Sequence, residues 1–269
     1  MKKVVRALTF EALSLGQAFP TTKTARERVE RLIEHLRPMS TATPLIRLGP
    51  AGDGGYLVPD DLAAIEACFS PGVADLSDFE LECANRGMKV FMADGSVDGP
   101  AQSHPSFHFD KRFIGAVTNE TFMTIDRWVG YTGVSRESDL LLQIDIEGHE
   151  YAALLATSDA LMKRFRVIVG EFHLLNQLWN EPFFALASST FEKILQTHTC
   201  VHVHPNNDMD VFDRWGLAIP PLLEITFLRK DRVIDARPAQ TFPHPLDADC
   251  TPRAHLPLPA RWYAGGVLL

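Results

Sequence analysis

The chain has 269 residues, 46% of them hydrophobic and 22% charged, with a formal net charge of −8. That length suits one large α/β domain with short appendages, and the charge speaks against a nucleic-acid or anionic-membrane partner. The four cysteines, Cys68, Cys83, Cys200 and Cys250, form no C-x-x-C pair, so they indicate neither a disulfide framework nor a zinc ribbon, and free thiols in a reducing cytoplasm are expected.

Met1-Lys2-Lys3 precedes only VVRALTFEAL, which Arg6 and Glu11 interrupt. That is a poor signal peptide and too short for a membrane span, so a cytoplasmic location is expected. Thr21-Thr22 can cap a helix over residues 23–36, with Val29, Leu32, Ile33 and Leu36 as its apolar stripe and Pro38 beyond its end. This helix reads as a cover for the sheet or a dimer element. Its Arg26, Arg28 and Arg31, like Lys111-Arg112, make only a local basic cluster.

Residues 46–59, IRLGPAGDGGYLVP, read as a turn-rich hairpin. It is either a structural tip or a loop from which Asp53, Gly55 and Tyr56 reach over a ligand. Residues 67–70 form a short strand entering a tight loop at Pro71-Gly72. Asp75 or Ser77 caps a helix over 78–85, and residues 89–92 form a second strand ending at Ala93-Asp94-Gly95-Ser96. Gly72 and Asp94 fit the spacing of a nucleotide-binding βαβ unit, in which an acid about 20 residues beyond the glycine turn meets ribose hydroxyls. The loop SPGVADLSD has one glycine, not three.

A third strand falls at 107–109 or at 112–117, and an amphipathic helix over 121–129 carries Phe122, Ile125 and Trp128 on one side. The run DLLLQIDIEGHE follows. Its residues 140–144, apolar but for Gln143, predict a strand buried on both faces. The strand surfaces on Asp145, Glu147, His149 and Glu150, and a helix begins at Tyr151. Residues 166–172 predict another buried strand, ending on Glu171 and His173. A helix over 183–195 leads to a strand at 201–204, and residues 222–228 are a further β run. No long helix separates these last two, so they are expected to pair antiparallel at an edge. Residues 236–260 are proline-rich and read as an extended wrap. The division is therefore an N-terminal helical cover (1–45), a central α/β domain (46–235) and a C-terminal wrap (236–269).

Strands alternating with helices predict a doubly wound sheet, whose ligands lie beyond the carboxyl ends of its strands. Three strand ends carry ionisable groups: Asp145 with Glu147 and His149, Glu171 with His173, and His202 with His204. If those strands are neighbours, the groups form one polar cluster beside Gly72. Such a cluster can hold a divalent metal through oxygen and imidazole ligands, or a base for a substrate hydroxyl.

LLLQIDIEGHEYAALL resembles the signature strand and helix of the FkbM-type methyltransferases, which use S-adenosylmethionine to methylate oxygen. RLGPAGDGGYLVP, CFSPGVADLSDFELECANRGMKVFMADGSVDGP, VIVGEFHLL, HVHPNND and LLEITFLRK are similar to successive blocks of one bacterial branch, so the likeness covers roughly residues 47–230. The resemblance implies a Rossmann-like class I methyltransferase sheet of seven strands, the last antiparallel. It implies that the loop from Ser70 to Val73, with Gly72, lies against the methionine part of the cofactor. Asp94, with Ser96 beside it, would meet the ribose, and Asp53, Gly55 and Tyr56 would close over the cofactor. It also implies a hydroxyl acceptor on a sugar, glycan or small metabolite. Asp145, Glu171, His173 and His149 are the candidates for activating that hydroxyl, directly or through a divalent metal that Asp145, Glu171 and His173 would hold. A metal-dependent hydrolase and a non-catalytic nucleotide-binding protein of the same fold remain as alternatives. The sequence does not indicate an oligomeric state.

Overall fold

The computed structural model describes residues 21–73 and 76–264. The expectation for the first residues and the cap at Asp75 lie outside them. Seven strands form the central sheet: β1 (Ala67–Pro71), β2 (Lys89–Ala93), β3 (Phe107–Asp110), β4 (Leu140–Ile144), β5 (Phe165–Phe172), β6 (His198–Pro205) and β7 (Leu223–Arg229). Their spatial order is β6-β7-β5-β4-β1-β2-β3. All neighbours from β5 to β3 pair parallel, while β7 pairs antiparallel with both β5 and β6. This is the Rossmann-like, doubly wound sheet predicted from the sequence, with the antiparallel pair at one edge.

The strand order reverses between β4 and β1, which opens a crevice above their carboxyl ends. The sequence explains why these two strands are central. Every residue of β4, β1 and β5 is buried, and their predominantly apolar runs suit a strand covered on both faces.

Among the described residues there are six α-helices: α1 (Arg26–His35), α2 (Asp78–Asn85), α3 (Ile125–Tyr131), α4 (Glu150–Ala156), α5 (Asp159–Met162) and α6 (Glu181–Thr197). The predicted stripe of α1, Val29, Leu32 and Ile33, is buried in the same core as β4, β5 and Trp262. Helix α1 thus packs into the chain's own core, beside residues 175–179 and 260–262. It starts at Arg26 because Lys23 forms a bridge with Asn180, and Thr21-Thr22 do not cap it.

The expected helix over 121–129 splits. Phe122–Met123 pairs parallel with Phe113–Ile114, and α3 starts after Thr124, whose hydroxyl accepts from the Arg127 amide at 3.3 Å. The third strand is the earlier of the two alternatives, Phe107–Asp110.

The hairpin of Leu45–Leu48 and Tyr56–Pro59 packs beside β5 and β7. The proline-rich segment runs back over the molecule: Arg237–Pro238 pairs with Met39–Ser40, and Leu258 and Trp262 join the main core. Among the described residues, no helix is long and apolar enough to cross a membrane.

Candidate functional site

The β1 loop and the β4 end pass in backbone contact. A Cβ on Gly72 (φ +88°) would lie 1.5 Å from the Asp145 carbonyl oxygen, so only glycine fits. The Asp145 amide donates to Pro71 O at 3.3 Å, and the Gly72 amide donates to Ala93 O at 3.0 Å. Two pockets flank this contact, and both include Gly72 and Asp145.

One pocket is lined by Asp94, Ser96, Phe113, Ile114, Phe122, Ile146, Glu147 and His149 among others. Asp94 Oδ1 accepts from the Ser96 amide at 2.7 Å and from its hydroxyl at 2.6 Å. The acid is thus fixed beyond β2 as the spacing predicted, beside apolar walls. The other pocket is lined by Asp53, Gly54, Tyr56, Val73, Leu76, Asp78, Glu80 and Gln143. Gln143, the one polar residue inside β4, donates to Tyr56 Oη at 3.3 Å and accepts from Ser70 Oγ at 2.6 Å. Ser70 is wholly buried, and its hydroxyl also contacts Glu80, so it props the pocket from behind and does not line it. Gly55 likewise serves the turn, because a Cβ there would meet Pro50 O at 2.0 Å.

Beside Asp145 lies the polar cluster. Its hub is His173, immediately after β5. Nε2 of His173 lies 3.9 Å from Asp145 Oδ1, 3.4 Å from Glu147 Oε2 and 3.7 Å from Glu171 Oε2. Nδ1 donates to Glu150 Oε1 at 3.1 Å. That same oxygen accepts from the amides of Ile146 at 2.9 Å and Gly148 at 3.1 Å. The buried Glu150 therefore holds together the turn between β4 and α4, where Glu147 adopts φ +56°. It also fixes which imidazole nitrogen faces the site.

Glu150, Asp145 and Glu171 push His173 up to about 9 against the effect of burial. Burial and the neighbouring Glu171 carboxyl raise Asp145 well above the carboxylate range, and its buried Oδ1 has no hydrogen-bond partner. Glu171 is pushed up to about 7, mainly by burial, although Asn206 donates to its Oε1 at 2.8 Å.

The expectation that His202 and His204 join this cluster is corrected by the strand order. Strand β7 lies between β5 and β6, so the residue registered opposite Glu171 is Glu224. His202 Nε2 instead contacts Asp247 Oδ1 at 2.8 Å, and His204 Nδ1 lies 3.5 Å from Asp247 Oδ2. Together they clamp the C-terminal segment. Asn207 extends the clamp by donating to Thr251 O and Arg253 O, each at 3.0 Å. The clamp delivers Cys250, whose thiol donates to Glu224 Oε1 at 3.1 Å. His149 stands apart from His173 as well. As the residue preceding α4 it lies in the Asp94 pocket, with its ring 5.8 Å from that of Phe122.

Among the described residues, two sets of side chains have metal-ligand spacing: Asp145 with Glu147 and His173, and Asp53 with Glu171 and Cys250. The donor atoms of each set lie within 4.8 Å of one another. Glu171, expected beside Asp145 and His173 in one ligand set, thus falls in the second.

Residues 70–199 match the family model described as Methyltransferase FkbM domain. This span runs from the end of β1 into β6 and contains Gly72, Asp94, Asp145, Glu171 and His173. No curated protein matches the chain. The matched span holds β2 to β5 with the end of β1 and the start of β6, and with them the crevice at the switch point.

Proposed function

We propose that this methyltransferase acts with S-adenosylmethionine on a hydroxyl of a sugar, glycan or small metabolite. The observation that carries the reading is the meeting of two pockets at the Gly72–Asp145 contact, with Asp94 in one and Asp53 and Tyr56 in the other.

The residues present fit the cofactor. Gly72 leaves the crevice free of a side chain where the two pockets join. Ser96 occupies Asp94 Oδ1 and leaves Oδ2 for ribose hydroxyls. Phe113, Ile114 and Ile146 offer apolar walls for a purine. Asp53 and Tyr56, on the hairpin held by Gly55, close the methionine side, with Ser70 behind them. His149 sits by the adenosine side.

When bound, S-adenosylmethionine supplies a methyl group activated by its sulfonium. The chain's own task is to align the acceptor oxygen and to take its proton. Asp145 suits the second role. It borders both pockets, its Oδ1 is unpartnered, and its raised proton affinity makes it a stronger base than an ordinary carboxylate. His173, braced by Glu150, lies within 4 Å of both Asp145 and Glu171 and helps to position them. A divalent ion would fit Asp145, Glu147 and His173, and would lower the proton affinity of the acceptor hydroxyl.

Calorimetry with S-adenosylmethionine tests the reading. Binding followed by transfer to members of a hydroxyl panel is expected. Absence of binding overturns it. Binding without transfer points to a nucleotide-binding protein, and metal bound without S-adenosylmethionine points to a hydrolase.

A further inference from the structure

Two connections leave the sheet at the crevice end: residues 173–180 after β5, and residues 206–222 between β6 and β7. They start side by side, since Phe172 and Pro205 both stand opposite Leu223. They are also locked together. The Leu175 amide donates to Pro221 O at 2.9 Å, and the rings of Trp179 and Trp215 meet edge to face at 4.7 Å. Leu174 begins this strip beside the turn after β4, because a Cβ on Gly148 would lie 3.2 Å from its Cδ1. A 3-10 turn, Leu175–Trp179, then leads away from the crevice to Trp179 and Trp215. At about 2 Å per residue this turn covers about 10 Å.

The two ends of the strip share an unusual backbone. Leu174 has φ +61° and is 49% exposed, and Trp215 has φ +54° and is 52% exposed. Bulky side chains avoid this left-handed conformation, and where it is enforced it clusters at ligand sites. Trp215 and Gly216 (φ +73°) form the two-residue tip of the hairpin Phe212–Arg214 and Leu217–Ile219, where Asn-Gly or Asp-Gly is ordinary. The tip is braced from below: Arg26 Nη1 donates to Trp215 O at 2.7 Å, and Arg26 pairs with Glu30 at 3.0 Å. Lys23 Nζ stands 4.1 Å from the indole centroid. These contacts still leave more than half of Trp215 open.

The surroundings of the ring select its occupant. Among the described residues, the ion pairs of this corner are Arg26 with Glu30 and Arg28 with Glu181, and Lys23 is in neither. An alkyl chain along the strip would take water from that ammonium and return nothing. A sugar ring lays its apolar C–H face on the indole and turns hydroxyl or carboxylate oxygens to the ammonium.

We propose that the acceptor is an oligosaccharide and that Trp215 binds it: one ring is methylated at the crevice, and a later ring stacks on Trp215, with Leu174 along the path between them. The inference rests on the O-methyltransferase reading and narrows its acceptor to a glycan. Trp215 lies farther from Gly148 than a single sugar extends, so affinity rises with chain length once a ring reaches the indole.

The test applies the full chain, saturated with S-adenosylhomocysteine, to an array of neutral and uronic-acid sugars. Each series runs from monosaccharide to tetrasaccharide, and immobilised dodecyl chains serve as the apolar probe. Capture of at least one series is expected, with the longer members held more tightly. The variant is Trp215→Asn, because asparagine suits this turn and keeps the hairpin. It is expected to weaken capture of the longer members by about tenfold or more, the worth of one lost aromatic contact. Retained S-adenosylhomocysteine binding reports that the variant is folded. In transfer assays with the captured series the loss is expected in KM, with kcat kept. Equal capture by wild type and variant overturns the inference and makes Trp215 a structural residue. Capture of no series overturns it too, as does equal capture of monosaccharide and tetrasaccharide, or a preference for the dodecyl chains. Failure to bind S-adenosylhomocysteine overturns the underlying reading instead.

Discussion

Gly72 and Asp145 touch backbone to backbone, at a distance that leaves 1.5 Å between a Cβ at position 72 and the Asp145 carbonyl oxygen. The single glycine of the β1 loop is thus spent on bringing β1 and β4 together at the switch point. Gly72→Ala must shift one of the two strand ends and place alanine at φ +88°. Strain of this kind costs about 1–3 kcal/mol. The expected outcome is a lower Tm together with loss of S-adenosylmethionine binding by calorimetry. Wild-type affinity in the variant would show that the contact does not shape the cofactor crevice.

The cluster around Glu171 and Glu224 predicts a pH dependence of stability. Glu224 rises from 4.5 to about 8 on folding, chiefly through burial, so the folded chain binds more protons than the unfolded one between these values. Its contribution is fully present below pH 4.5 and is lost as pH rises through 8. His173, raised from 6.5 to about 9, acts in the same direction. The Tm of the ligand-free protein should therefore fall between pH 6.5 and 8. Glu224→Gln should fall less steeply, by up to about 1.4 kcal/mol per pH unit for one proton. Parallel curves for the two proteins would place Glu224 outside this linkage.

Glu150 is expected to control His173. Its Oε1 binds Nδ1 at 3.1 Å, and its charge is a principal cause of the raised imidazole value. Glu150→Gln removes the charge and keeps an acceptor for the amides of Ile146 and Gly148. The imidazole should then titrate well below 9, toward its ordinary range near 6.5, as read from its ring proton shifts by NMR. An unmoved titration would assign the raised value to Asp145 and Glu171 instead.

Which parts of this site the sequence reveals follows from where polar residues interrupt apolar runs. Asp145, Glu171 and His173 end such runs, so a buried strand must deliver them to its carboxyl end. Gly72 and Asp94 are legible from their spacing across one βαβ unit. Glu224 is different. It sits inside LLEITFL, and its meaning depends on β7 inserting between β5 and β6, an ordering that no local pattern encodes. The same insertion turns His202 and His204 toward Asp247, over 40 residues further along the chain, as their contacts show. Phe122, Ile125 and Trp128 do have helical spacing. Thr124 caps only the part after it and frees Phe122–Met123 to pair with Phe113–Ile114.

The sharpest prediction concerns Asp145. It lines both pockets, and its Oδ1 is unpartnered and cut off from solvent. Asp145→Asn preserves shape and removes the basic oxygen. If Asp145 takes the acceptor proton, transfer should fall by about 10²–10⁴-fold, the usual worth of general-base catalysis, with cofactor affinity nearly unchanged. Chelation by EDTA separates this role from metal ligation. Unchanged transfer is expected, together with no Mn2+ detected on the wild-type protein by calorimetry. Loss of transfer on chelation would reassign Asp145, Glu147 and His173 as ligands, since their donor atoms already lie within 4.8 Å of one another. A collapse of cofactor affinity in Asp145→Asn would place the carboxyl on the cofactor side of the Gly72 contact and leave the acceptor proton to Glu171.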